Sequence, residues 1–236
     1  MATPAAPVIE APSNAMFLGE AMAPLELARL VRAARRLGGA PRGEGRRSLV
    51  LPGFGANDAS TLPLRTYLRS VGFRISGWGL GLNRGLVTER MPALLELTER
   101  AAAESGGRVA LIGWSMGGVL SREVARERPE LLSRVITFGT PVVGGPRYTR
   151  TARAYGEQAL VQIAQDVEER NRSVPIEVPI TAIHSRRDGI VAWRACIDDF
   201  SPDVENVEVR STHVGMGIDP DVWAILTDRL TRDPAP

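Results

Sequence analysis

From residue 48 onward the chain alternates between short apolar runs and stretches whose apolar residues recur every three or four positions. The runs at Ser48–Leu51, Arg74–Gly77, Arg108–Ile112, Arg134–Phe138, Ile180–His184 and Val204–Arg210 have the length of buried strands. Between them, Leu62–Val71, Thr88–Ser105, Gly117–Glu127, Thr149–Asn171 and Asp221–Arg232 carry helical spacing. Strands too apolar to leave a wet face, taking turns with helices, predict a parallel sheet covered on both sides. The expected fold class is α/β, with about six mostly parallel strands in one compact domain.

Two stretches add to that pattern. Upstream, Leu27, Leu30, Val31, Ala34 and Leu37 recur at helical spacing, with Arg29, Arg32, Arg35 and Arg36 between them, and Gly38-Gly39 ends the run. This predicts a basic amphipathic helix over 25–37. Packing on the domain is the favoured reading, and contact with a membrane surface is the less favoured one. Residues 1–15, broken by Pro4, Pro7, Pro12 and Asn14, are expected to form a flexible tail. The division is then a tail and helix over 1–45 and the α/β domain over 46–236. Between Phe138 and Ile180 lies an unusually long connection of about forty residues. Its stripe of Ala152, Tyr155, Ala159, Leu160, Ile163 and Val167 suits either a short helical cap over about 144–178 or a helix packed on the sheet.

Composition narrows the function classes. A chain of 236 residues, 44% hydrophobic and 24% charged, suits one globular domain. The formal net charge is +2, and all 29 basic residues are arginine, scattered from Arg29 to Arg232. Nucleic-acid binders gather such charge on one face, so no nucleic-acid partner is expected. Cys196 is the only cysteine, which excludes an intrachain disulfide. Neither a signal-peptide pattern nor an apolar run of about 18 residues is present, and a cytoplasmic protein is the expectation. No Cys/His/Asp cluster has metal-ligand spacing and no glycine motif for phosphate follows a strand, so neither metal nor cofactor is expected.

The candidate chemistry lies in VALIGWSMGG, residues 109–118. An apolar strand runs straight into Gly113-Trp114-Ser115-Met116-Gly117 and then into a helix. The pentapeptide alone is a modest mark: with 24 Gly in the chain it arises by chance about 0.13 times. Its context, strand to sharp turn to helix, is what presents a serine as nucleophile. Glycines two places either side are needed because side chains there would collide with the turn. A serine hydroxyl needs a base to take its proton, and the base needs a carboxylate to fix its tautomer. Of the two histidines, His213 follows the last strand in a returning loop, whereas His184 belongs to a strand and is expected in the core. For the acid, Asp188 follows the Ile180–His184 strand at its carboxyl end, with Asp198 and Asp199 as fallbacks. The oxyanion donors are expected to be the backbone N–H groups of Met116 and, in the loop Leu51-Pro52-Gly53-Phe54-Gly55, of Phe54. Trp78, Trp114, Trp193 and Met216, with the Phe54 side chain, are expected to border an apolar pocket. Cys196 reads as structural.

LPGFGAND, GWSMGG, SRRDGIV and STHVGMG, in that order, resemble the small bacterial lipase/esterase group of the α/β-hydrolase superfamily. The resemblance spans roughly residues 48–230. It implies a compact sheet with little or no lid and hydrolysis of a carboxylic ester through an acyl-enzyme, without cofactor, on a small-molecule or lipid-like substrate. It places the nucleophile at Ser115, the acid at Asp188, the base at His213 and the oxyanion donors at Phe54 and Met116. Two departures stand out: Pro52 and Trp114 occupy positions where many members carry histidine. Alternatives on the same triad are acyl transfer or cleavage of thioesters or amides. An alternative outside enzymes is a non-hydrolytic, membrane-associated binding protein.

Overall fold

Neighbouring residues of the central strands are apolar in both directions, and the structure buries both faces. The computed structural model describes residues 9–232. Six strands, β1 (Arg47–Leu51), β2 (Arg74–Gly77), β3 (Val109–Trp114), β4 (Leu132–Phe138), β5 (Ile180–His184) and β6 (Val204–Glu208), form one parallel sheet in the order β2-β1-β3-β4-β5-β6. Val50, Ile112, Ile136, Phe138 and Ile183 point to one side. There they pack against α2 (Pro24–Gly38), α3 (Leu62–Ser70) and α7 (Pro220–Leu230) through Leu37, Leu64, Leu68, Val222 and Leu226. Leu49, Leu51, Leu111, Val135 and Ala182 point to the other side. They meet α4 (Val87–Ser105) and α5 (Met116–Glu127) through Leu94, Ala101, Leu120 and Val124. Each fully buried aliphatic side chain contributes about 1.5–3 kcal/mol, so these two layers outweigh the surface ion pairs, worth about 0–1 kcal/mol each.

The strand order fixes where a site can form. The chain builds β2 on one side of β1 and then returns to build β3 on the other, so the connections diverge between β1 and β3. Open parallel sheets bind ligands at the carboxyl ends of strands at such a switch. Register brings the strand ends level there: Leu51 pairs with Gly113, Trp114 with Phe138, and Phe138 with Ile183.

The long connection resolves into two short 3-10 turns, Gly145–Tyr148 and Arg150–Ala154, and α6 (Glu157–Ser173). The helix expected from Thr149 starts only after Gly156. α6 is bonded to α5 and lies against the Gly145–Tyr148 turn, with Ala164 and Asn171 as its buried residues. Arg170 pairs with Glu123 of α5 at 2.5 Å and Asn171 accepts from Arg126 of α5 at 2.5 Å. The turns before it run beside the chain after β5, joined by Ala192 N to Tyr148 O at 2.9 Å and Arg150 N to Ile190 O at 2.8 Å.

The N-terminal stretch differs from expectation. Part of the expected tail, residues 1–8, lies outside the described residues. Residues 9–22 are mostly exposed, and they include an unforeseen helix, α1 (Asn14–Gly19), capped by Ser13 Oγ accepting from Met16 N at 3.2 Å. The stripe on α2 also splits. Leu30, Ala33 and Leu37 face the core, while Leu27 and Val31 remain exposed. The buried side of α2 is completed by polar groups instead. Arg29 reaches Glu26 at 2.5 Å, Asp219 at 2.9 Å and Asp221 at 2.7 Å, which ties α2 to the start of α7.

Candidate active site

Ser115 sits between β3 and α5 with φ 53° and ψ −120°, one of two non-glycine residues at positive φ among the described residues. Such a conformation costs about 1–3 kcal/mol and persists only where its surroundings enforce it. Here Ser115 N donates to Phe138 O at 2.9 Å, and Ser115 O accepts from Gly118 N at 2.9 Å and Thr140 Oγ1 at 3.0 Å. The glycines of the motif are needed for space. A methyl group on Gly113 would overlap the Gly118 backbone, and one on Gly117 would overlap the Leu51 carbonyl. Gly118, outside the pentapeptide, is equally constrained, because a methyl there would overlap Thr140 Oγ1.

The loop after β1 lies directly against this turn. A Cβ on Gly53 would stand 3.3 Å from Ser115 Cβ and 3.9 Å from Ser115 Oγ. The loop is held from the segment after β2. Gly55 N donates to Asn83 O at 2.7 Å, Asn83 N to Ala56 O at 2.8 Å, and the buried Asn83 side-chain amide to Pro52 O at 2.8 Å. Asp58 pins that segment from below by accepting from Trp78 N and Gly79 N, each at 3.0 Å. Among the described residues, no acceptor engages the N–H of Phe54 or of Met116. The Phe54 ring is 54% exposed and lies against Gly85, as does the Met116 methyl.

Asp188 and His213 meet at the same edge. His213 Nδ1 is 2.7 Å from Asp188 Oδ2, and both residues are buried. The other carboxylate oxygen of Asp188 accepts from Ile190 N at 2.8 Å and Val191 N at 2.7 Å, which fixes its rotamer. Gly139, at φ 58°, makes room for the pair: a Cβ there would lie 2.8 Å from His213 Nδ1 and 3.3 Å from Asp188 Oδ2. The Trp114 ring lies 6.2 Å from the His213 ring and 5.8 Å from Phe138, placing the His213 loop beside the residue preceding Ser115. Burial pulls the His213 pKa down. The charge of Asp188, its hydrogen bond and the charge of Glu20 outweigh that pull, and the net pKa is raised above the ordinary 6.5.

The remaining candidates fall elsewhere. His184 is buried and stacked on Trp193 at 5.9 Å, its pKa lowered by burial against a weaker pull from Glu208. Asp198 pairs with Arg122 of α5 at 2.6 Å, and Asp199 is exposed, so neither faces His213. Two pocket expectations need correction. Trp78 is fully buried with its indole N–H on Gly81 O at 2.9 Å, and Met216 is fully buried in the core beneath α7. Large apolar residues beside glycine-rich loops suggested a pocket, but here they serve as anchors for those loops. Trp193 stands between the guanidinium groups of Arg186 and Arg194, each 4.6 Å from its ring. The cleft it borders is lined by Ile9, Glu10, Ala192 and Arg194. Of the four, Trp114 is the one that touches the Ser115 and His213 neighbourhood. Cys196 is buried, and burial, then the charge of Asp188, pushes its thiol pKa well up, as suits a structural cysteine.

Sequence reasoning missed two residues that shape this site: Gly139 and Glu20. Asn83, with Arg84 after Trp78-Gly79-Leu80-Gly81, reads in the sequence as either bordering the site or making a turn, and in the structure it holds the loop after β1. Gly139 follows a strand like many turn glycines. Glu20 carried no signal at all, being remote in sequence from everything it touches.

No protein-family model and no curated protein matches the chain. Solved structures do. A structure from work on LipS and LipT, metagenome-derived lipolytic enzymes, superposes with a TM-score of 0.62 at 18% identity, over 81% of this chain and 94% of that one. The lipase BlEst2 of Bacillus licheniformis matches with a TM-score of 0.62 at 12% identity, over 81% and 94%. The thioesterase domain from the curacin biosynthetic pathway matches with a TM-score of 0.56 at 16% identity, over 81% and 93%. The chain has the α/β-hydrolase fold.

Proposed function

We propose that this protein is a serine hydrolase that cleaves carboxylic esters through an acyl-enzyme. The observation that carries this reading is the junction of two features on one sheet edge: a serine at φ 53° heading a helix, and a buried His–Asp pair at 2.7 Å beside it. A structural serine has no need of a strained turn, and a buried carboxylate held by two N–H groups is suited to fixing one imidazole tautomer.

In this reading Ser115 Oγ attacks the ester carbonyl carbon while His213 Nε2 takes its proton. Asp188 holds Nδ1–H and stabilises the imidazolium that forms. The negative oxygen of the tetrahedral intermediate takes the N–H groups of Phe54 and Met116, each worth about 3–4 kcal/mol to the transition state. The start of α5 adds its positive dipole end. Collapse of the intermediate expels the alkoxide, which leaves with the proton from His213. Water, deprotonated by the same histidine, then attacks the acyl-Ser115 carbonyl, and the acid departs as the serine regains its proton. The structural likenesses to lipolytic enzymes and to a thioesterase domain support acyl chemistry on this scaffold.

Hydrolysis of p-nitrophenyl esters of increasing acyl length tests the proposal. Wild type is expected to release p-nitrophenol, and Ser115→Ala to lose about 10⁴-fold or more in kcat. Equal rates for the two proteins would end it.

A further inference from the structure

Glu20 belongs to the N-terminal segment, outside the stretch that resembles hydrolases. Its half-buried carboxylate nevertheless lies between the two loops that carry Asp188 and His213. Glu20 Oε1 accepts from Gly189 N at 2.7 Å and from His213 N at 2.9 Å, and Oε2 accepts from Val214 N at 2.8 Å. One carboxylate therefore bonds the residue after the acid, the base itself and the residue after the base. Carboxylate–amide bonds of this kind are shorter and stronger than neutral ones. The segment around it is fitted to the same loops. A methyl on Gly189 would overlap the Met16 carbonyl, so this glycine is needed for close approach of the N-terminal backbone. A Cβ on Gly215 would lie 3.0 Å from Glu26 Cγ, and Arg29 donates to Arg210 O at 3.2 Å. On its outer side the segment is held by Arg150, which bonds Pro12 O at 3.3 Å and Asn14 Oδ1 at 3.0 Å and lies 4.6 Å from the Phe17 ring centroid.

We infer that Glu20 is a positioning residue for the hydrolytic centre, and that residues 13–29 form a strap that holds the Asp188 and His213 loops in register with each other. The inference rests on the proposed triad. Glu20 touches neither the Asp188 carboxylate nor the His213 ring among the described hydrogen bonds, so it acts through the backbone of both loops and through its charge. Asp188 and Glu20 are the charged groups that bear on the His213 ring and favour its protonated form.

The test compares wild type, Glu20→Ala and Glu20→Gln in the full chain. It measures p-nitrophenyl ester kinetics and, by NMR on protein with labelled histidine, the titration of the His213 ring. The chain has two histidines, and His184→Asn assigns the signals. Glu20→Ala is expected to lower kcat about 10- to 100-fold with KM changed little, since small misplacements of reacting groups cost that much. Glu20→Gln keeps an amide oxygen for Gly189 N and His213 N. It should recover most of kcat yet still titrate His213 at lower pH than wild type, a change that a purely structural contact would not produce. Wild-type kcat and wild-type His213 titration in both variants would overturn the inference. If Ser115→Ala remains active, the triad reading fails instead, and the titration, which needs no turnover, still decides whether Glu20 acts on His213.

Discussion

The proposed nucleophile and its proposed acid–base partners are built by opposite means. Ser115 is held by its immediate chain neighbours and by the strands on either side: Gly113, Gly117 and Gly118 clear the space, and Phe138 O and Thr140 Oγ1 fix the backbone. His213 and Asp188 sit on loops whose clamp, Glu20, lies 193 and 169 positions away from His213 and Gly189 in sequence. The first region inherits its geometry from the sheet, whose core residues are the last to open when a domain unfolds locally. The second depends on a segment of which only a few side chains are buried. Strain is therefore stored in the turn framed by the sheet, and the proposed proton-transfer pair depends on the less buried N-terminal segment.

The largest expected effects come from striking each region at its chemical group. Against the Ser115→Ala loss above, Asp188→Asn should cost about 10⁴-fold in kcat, because an amide no longer selects the imidazole tautomer that accepts from serine. Single-turnover measurement of acylation would show this, and a loss under tenfold would remove Asp188 from the acid role. Gly139→Ala strikes the seam between the regions. At φ 58°, with a Cβ 2.8 Å from His213 Nδ1, the variant should lose about 100-fold in kcat. The same strain should cost about 1–3 kcal/mol in stability by urea unfolding. A stability loss with kcat intact would show that the His–Asp pair tolerates displacement. The smallest effect is a displacement in pH. The proposed mechanism needs neutral His213, whose pKa is raised, so the acid limb of kcat/KM should fall above the ordinary histidine value of 6.5. The sign for stability is the reverse. Protonated His213 favours the folded state fully below 6.5, and that contribution is lost as pH climbs through the raised value. An acid limb at or below 6.5 would contradict the electrostatics of this region.

The same contrast explains what could be read from the chain. The sheet was legible because both faces of β1, β3, β4 and β5 are apolar, and buried parallel strands leave that imprint in any order. Ser115 was legible because its constraints lie within a few residues of it. Asp188 and His213 were legible as candidates from their places after strands. The place of Asp188 directly after its strand already favours it over Asp198, and the structure adds that Asp198 is turned to Arg122. Residues 9–15 read as tail because the order of the N-terminal segment comes from Arg150, Gly189 and His213, partners that no local period reports. Gly189 shows the limit well. Asp188-Gly189 looks like an ordinary turn dipeptide, yet the glycine is required by the Met16 carbonyl pressed against it.

The most direct test of the central claim is covalent. Wild-type protein treated with an alkyl fluorophosphonate and mapped by peptide mass spectrometry should carry one adduct, on Ser115, forming faster as pH rises through the His213 titration and slowed by Asp188→Asn. An unmodified Ser115, or labelling indifferent to both pH and Asp188, would contradict the account.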